Sequence, residues 1–208
     1  MKIIEPSFEI LAVTDPELLL IERAGRVCYR SEDRIEPGSA ERFARMVIGR
    51  HHESVIEHGS MSVLFTVDRG VSHELVRHRH TSPSQESTRY CNYSKGKFDG
   101  ELSFVRPFFF DEGGLNYAYW KDSCRLAEEF YLAMLANGAK PEEARTVLPS
   151  SLATTMVVTA NFREWRHMFR ERTARAAHPQ MRQVMCPLLE EARRRVPVVF
   201  DDVGTVEL

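Results

Sequence analysis

RHRHTSPSQESTRY, from Arg77 to Tyr90, packs three arginines, two histidines, a glutamine, a glutamate and a run of hydroxyls into fourteen residues. Only the tyrosine has much to offer a hydrophobic core. Arginine carries a planar fork of donors matched to phosphate, carboxylate or a polarised carbonyl. Serine, threonine and glutamine add the short neutral hydrogen bonds that orient a ligand. Upstream, a short helix from about Ser72 carries Val71, Leu75 and Val76 inward, with Glu74 near its positive end. It is expected to deliver Arg77, His78 and Arg79 into its last turn, with Pro83 forbidding much continuation. The stretch therefore reads as a helix C-terminus running into a loop. That loop is either solvated or the floor of a site for an anionic ligand.

Working outward, residues 7 to 13 (SFEILAV) read as a first strand, and Asp15-Pro16-Glu17 as a helix start. Leu18, Ile21, Ala24 and Cys28 share a helical face, which places Cys28 in the core. Ser39 is expected to cap a helix whose apolar side is Phe43, Met46 and Val47. Met61 to Val67 alternates as a strand with Val63, Phe65 and Val67 on one face. Downstream lie a weak strand around Leu102 to Val105, a long helix from about Asn116 to the Asn137-Gly138 stop, and a helix from Pro141. A strand over Thr154 to Thr159 follows. Asn161-Phe162-Arg163-Glu164 then forms a capping box ahead of the buried stripe Phe162, Trp165 and Phe169. A last helix spans about Pro179 to Arg195 with a kink at Pro187. Strands and helices alternate too irregularly for a doubly wound sheet. The expected class is α+β, a single mixed domain over residues 1–208 with a central sheet flanked by helices.

Composition narrows the function. A chain of 208 residues with 43% hydrophobic and 28% charged residues is ordinary for a soluble globular protein. Charged residues come too early for a signal peptide and no apolar run approaches membrane-spanning length, so no membrane partner is expected. Cys28, Cys91, Cys124 and Cys186 are scattered without a CxxC pair, which fits a reduced, cytoplasmic protein. From Asn161 to Arg195 nine arginines stand against four acids, a local +5 without a lysine. That suits geometric recognition of a small anion better than a long nucleic acid. Together with the overall acidity, it argues against nucleic-acid binding. The histidine-rich segment around His52, Glu57 and His58 lacks HExxH spacing, so no metal site is expected. GxSxG, a P-loop and a dinucleotide fingerprint are all missing. Arg163, Arg166 and Arg170 fall at helical spacing and read as a solvated face, whereas Arg172 and Arg175 lie near a helix end, where a site is easier to build.

Arg77-His78-Arg79, seven residues and then Ser87 resemble the RHR-x7-S signature of flavin-dependent thymidylate synthases. His52-Glu53 with Glu57-His58, Arg145 with Leu148-Pro149, Asn161 with Arg163, and Arg172 to Arg182 resemble four further blocks of that family, in its order. The resemblance implies methylation of dUMP to dTMP in de novo dTMP biosynthesis, with 5,10-methylenetetrahydrofolate as carbon donor. FADH2, regenerated by NADPH, is the implied hydride source. It also implies a homotetramer with active sites shared between subunits. By position, Ser54, Arg77, His78, Arg79, Gln85, Asn161, Arg163 and His167 would contact FAD. Glu74, Leu75, Val76 and Arg77, then Gln85, Glu86, Ser87, Thr88 and Arg89, with Arg145 and Arg172, would line the dUMP site. Arg172, Ser87 and His52 would serve catalysis: Arg172 at the uracil edge, Ser87 orienting the nucleotide, His52 over the flavin and folate. Ser84-Gln85 stands where many members have Asn-Glu, and His167 where an asparagine is common.

Overall fold

The protein, in a computed structural model that describes residues 1–98 and 100–204, is a mixed α+β chain. In order it forms β1 (Lys2–Ile4), β2 (Ser7–Val13), α1 (Leu19–Val27), α2 (Ser39–Gly49), β3 (Ser60–Asp68), α3 (Arg69–Leu75) and β4 (Thr81–Gln85). Then come β5 (Ser103–Val105), α4 (Leu115–Ala136), α5 (Pro141–Ala144), β6 (Ala153–Asn161), α6 (Phe162–Arg172), α7 (Pro179–Arg195) and α8 (Pro197–Phe200). Four strands form one sheet in the order β2-β3-β6-β4, and β1 pairs in parallel with β5, Ile3 opposite Phe104. The chain folds into two compact units, each assembled from distant segments. The first holds residues 1–7, 65–77 and 84–156; the second holds 8–64, 78–83 and 157–208. β3 and β6 each contribute residues to both units.

The first unit packs Leu102, Phe104, Leu152, Cys124 and Tyr131 into its core. Glu128 is buried there, and its Oε1 accepts the Leu102 N–H at 2.7 Å, so its carboxylate caps a loop donor that would otherwise be stranded. α4 ends as its sequence predicts, at Asn137 with Gly138 at φ 92°, a left-handed value suited to glycine.

The second unit buries Ile21, Phe43, Val47, Ile56, Met61 and Leu188 together with the stripe Phe162, Trp165 and Phe169 of α6. Each large apolar side chain of that stripe contributes about 1.5–3 kcal/mol by burial. Asn161 caps α6 as its sequence predicts, accepting the Glu164 N–H at 2.9 Å, and Trp165 Nε1 donates to the Met61 carbonyl at 2.8 Å. These two bonds set both the start and the rotation of the helix.

Several expectations are corrected. α3 stops at Leu75, capped at its start by Asp68, so Arg77, His78 and Arg79 follow the helix instead of forming its last turn. The residues after them form a strand, not a loop. Pro83 is accommodated because β4 is the edge of its sheet, where a missing N–H costs no ladder bond. Val76, expected inward, is exposed. Asp15 does cap the first helix, taking N–H bonds from Leu20 and Ile21, but Leu18 at φ 63° delays the start to Leu19, so Pro16 is not its first residue. Cys28 lies past the last turn of α1 and is exposed. Met46 also faces outward, since α2 buries Ala40, Phe43, Ala44, Val47 and Ile48 instead.

Candidate active site

Two groups of predicted site residues emerge, one in each unit. In the second unit, α6 organises the group. The 3₁₀ segment Glu53–His58 docks against its first turns: the Phe162 N–H donates to the Gly59 carbonyl at 2.9 Å, and a Cβ at Gly59 would run into the Phe162 ring. This close approach lets acids of one segment meet arginines of the other. Glu57 accepts from Arg163 at 2.6 Å, and Glu53 Oε1 accepts from Arg166 at 3.3 Å and Arg170 at 3.2 Å. Burial pushes the Glu53 carboxyl up, but Arg170 and Arg166 outweigh it and hold the group below the usual carboxylate range.

Arg166 belongs to no solvated face. It is fully buried, and besides Glu53 it binds the Asp202 carboxylate, at 2.8 Å through Nη2, and the Val199 carbonyl. A charge run read from sequence as surface thus splits: Arg163 and Arg170 are exposed and Arg166 is interior.

At the other end of α6, Arg172 Nε donates to His78 Nε2 at 2.9 Å. His78 is only 7% exposed, and its Nδ1 lies 3.5 Å from Glu164 Oε1. Burial, then the Arg172 guanidinium, then His167, lower the His78 pKa to about 4. The ring is therefore neutral near pH 7. Because Nε2 accepts from Arg172, the ring proton belongs on Nδ1, facing Glu164. With the ring neutral, the 3.5 Å approach of His78 to Glu164 is not an ion pair. The bond to buried His78 orients the guanidinium at the helix end.

His167 meets His78 edge-on, ring centroids 5.7 Å apart. Donor atoms of His78, Glu164 and His167 all lie within 4.8 Å of one another, a grouping that could in principle hold a metal. It differs from the histidine cluster the sequence suggested. The Arg172 charge against His78 opposes a cation there. A recess of about 540 Å³ opens beside this group, walled by Asn161, Arg163, His167 and Arg170, with Glu53, Glu57, Glu164 and His80 completing it. Its donors suit phosphate and ribose oxygens, and its size lies in the range of ligand pockets. His52 precedes the 3₁₀ segment, exposed, with Nδ1 3.5 Å from the Tyr29 hydroxyl; Ser54 and Arg79 are also exposed. Glu164, Arg170 and Glu57 were not among the expected cofactor contacts. Glu164 was visible only as a capping residue.

In the first unit the group is looser. Gln85 Nε2 donates to Ser72 Oγ at 2.9 Å and Thr154 Oγ1 at 3.2 Å, which pins its amide. The Glu86 N–H donates to the Thr155 carbonyl, and Glu86 Oε1 accepts the Tyr93 hydroxyl at 2.6 Å. Burial and that carboxylate push the Tyr93 phenol well up, so it stays a donor. Ser87 closes the following turn: its carbonyl accepts the Tyr90 and Cys91 N–H groups, and its Oγ accepts the Arg89 N–H at 3.3 Å. Arg145, exposed, donates to buried Thr88 Oγ1 at 3.2 Å, and Arg89 lies 3.5 Å from Glu142. Of the preceding run, Glu74 is half-buried, Leu75 is fully buried, and Val76 and Arg77 are exposed. Leu75 can therefore offer only its backbone.

The chain as a whole has clear counterparts among known proteins. A family model described as thymidylate synthase complementing protein matches residues 9–198. The flavin-dependent thymidylate synthase of Corynebacterium aurimucosum is 34% identical over 195 residues, covering 88% of this chain and 78% of that one. That of Mycolicibacterium vanbaalenii is 34% identical over 202 residues, covering 91% and 80%. Among solved structures, the UMP/dUMP methylase PolB of Streptomyces cacaoi, bound with 5-Br dUMP, superposes with a TM-score of 0.78 at 24% identity, covering 97% of this chain and 96% of that one. Thymidylate synthase X of Helicobacter pylori, with FAD and dUMP, gives 0.76 at 21% identity, covering 95% and 98%. With nearly the whole chain matched by one family model and its relatives a third identical, the protein belongs to the flavin-dependent thymidylate synthase family.

Proposed function

We propose that this chain, acting as one domain, methylates dUMP to dTMP with 5,10-methylenetetrahydrofolate as carbon donor, FAD as cofactor and NADPH as reductant. The observation that carries the reading is the bond from Arg172 Nε to neutral His78. An arginine held by a buried, uncharged acceptor has its guanidinium oriented without a charge on that acceptor. Set against the pyrimidine edge, it stabilises negative charge spread over N3 and O4, which favours attack at C5 and hydride arrival at C6. Arg145 and Arg89 supply charge to the nucleotide phosphate. Ser87 orients the substrate from its turn, and Gln85, with its amide nitrogen committed to Ser72 and Thr154, presents its carbonyl as an acceptor. Asn161, Arg163 and His167 line the recess that suits FAD, with Ser54, Arg77 and Arg79 as further contacts and His52 bordering the folate. FAD supplies the redox chemistry when bound, and the chain supplies alignment and field.

The homotetramer is part of the same proposal. α4 leaves Leu115, Tyr119, Leu126 and Phe130 exposed, spaced four, seven and four residues apart. That spacing keeps them on one helical face, an apolar stripe that a second copy of the chain would cover. A cytoplasmic setting fits the four free cysteines, and no helix among the described residues is long and apolar enough to cross a membrane.

The test is a visible spectrum of purified protein followed by tritium release from C5-labelled dUMP. A flavin spectrum and folate-dependent release are expected. A protein that stays colourless after FAD is added would sink the proposal.

A further inference from the structure

A second recess, of about 240 Å³, lies in the second unit between the end of α1 and the middle of α2. Its wall is built from arginines and apolar groups together. Arg26 bonds Glu22 at 2.9 Å, and its guanidinium lies 4.8 Å from the centroid of the Phe43 ring, a flat surface. Arg34 and Arg50 also line it, both exposed, and among the described residues neither side chain has an ion-pair or hydrogen-bond partner. The lining holds three guanidiniums and no carboxylate; Glu22 pairs with Arg26, and Glu32 and Asp33 precede Arg34 in its 3₁₀ segment without an ion pair to it among the described residues. Of the nearby acids, Glu36 is already bound to Arg42. Met46, the side chain that fails to face the core, forms the apolar wall, and Tyr29 and Ser31 add hydroxyls.

Unpaired guanidiniums converging beside exposed Met46 and Tyr29 are a poor arrangement for solvent alone. They match a ligand with a flat or aliphatic stem ending in more than one negative charge. The Tyr29 hydroxyl lies 3.5 Å from His52 Nδ1, so the recess adjoins a residue the family resemblance places at the folate and flavin. Its volume falls below the roughly 300 Å³ at which whole-ligand pockets begin. It therefore fits the end of a ligand, not the whole.

We propose that this recess binds the anionic tail of a co-substrate, a phosphate monoester or clustered carboxylates, through Arg34 and Arg50. The inference rests on the thymidylate synthase reading for the identity of the tail: the 2′-phosphate of NADPH or the glutamyl carboxylates of the folate. The FAD-loaded protein is titrated calorimetrically with two probes, 2′,5′-ADP and pteroyltriglutamate, and separately with dUMP. One probe is expected to bind the wild type and to weaken about tenfold or more in Arg34→Ala/Arg50→Ala, with dUMP affinity and melting temperature unchanged. Arg34→Lys/Arg50→Lys is expected to retain most of the binding, and the probe that binds names the source of the tail. Binding of neither probe, or equal binding by wild type and alanine variant, would overturn the site. Loss of dUMP binding by the wild type would count against the synthase reading alone, since the calorimetry with the two probes stands without turnover.

Discussion

The end of α6 and the turn after β4 both present arginines, but they hold them differently. Arg172 is bonded to His78, which is buried, and His78 lies 3.5 Å from Glu164, 8% exposed. Arg145 and Arg89 are exposed, and their partners, the Thr88 hydroxyl and Glu142, give contacts of 3.2 and 3.5 Å. Surface pairs of that kind contribute at most about 1 kcal/mol, whereas buried, hydrogen-bonded groups hold their geometry because any alternative strands a polar atom. The difference suits the roles proposed for these residues: a phosphate accepts a cation from many directions, whereas a pyrimidine edge must be met in plane.

Removing the locked arginine should have the largest effect. Arg172→Ala is expected to lower kcat by about a hundred- to a thousandfold, the loss typical of one preorganised charge-stabilising donor, while the flavin spectrum persists. Arg172→Lys should restore little, because an ammonium cannot keep both the His78 bond and a planar contact. Near-normal turnover in either variant would erase the distinction between the two regions. Arg145→Ala should act more gently, raising KM for dUMP about tenfold with a smaller change in kcat. A collapse of kcat comparable to that of Arg172→Ala would mean the turn is as tightly organised as the helix end.

The smallest effect is the pH response. The folded His78 pKa, near 4, lies below the ordinary value of 6.5. Between those values the unfolded chain takes up a proton that the folded chain refuses. Stability from this group is therefore complete above about pH 6.5 and declines as the pH falls toward 4. Below that, protonated His78 can no longer accept the Arg172 N–H. NMR titration should find the His78 ring neutral at pH 5.5, with dUMP affinity unchanged there. A ring titrating near 6.5 would remove the locking argument.

Much of the fold is legible in local pattern. The alternation of Met61 to Val67, the Asn137-Gly138 stop and the Asn161 cap are short-range features, and each lies where periodicity and capping chemistry put it. The misplacements occur where a distant partner decides. Arg166 looks like one of three surface arginines until Glu53, 113 residues earlier, and Asp202, 36 later, close on it. Pro83 looks like the end of a helix running into a loop until the sheet order puts it in β4, at an edge. Met46 looks like core until the α2 face turns toward Phe43 and Val47.

The same division holds for the site. The sequence by itself determined the family and the inventory of groups: RHR-x7-S, the HE-xxx-EH block, an asparagine cap and an arginine-rich helix, all short-range signals of composition and spacing. Only the tertiary structure decided which of the adjacent Arg77, His78, Arg79 and His80 is buried, that His78 is neutral, and that it grips Arg172 ninety-four residues away. Neighbours in sequence share composition but not environment. A pKa and a hydrogen bond depend on burial and on partners that the chain brings together only when it folds.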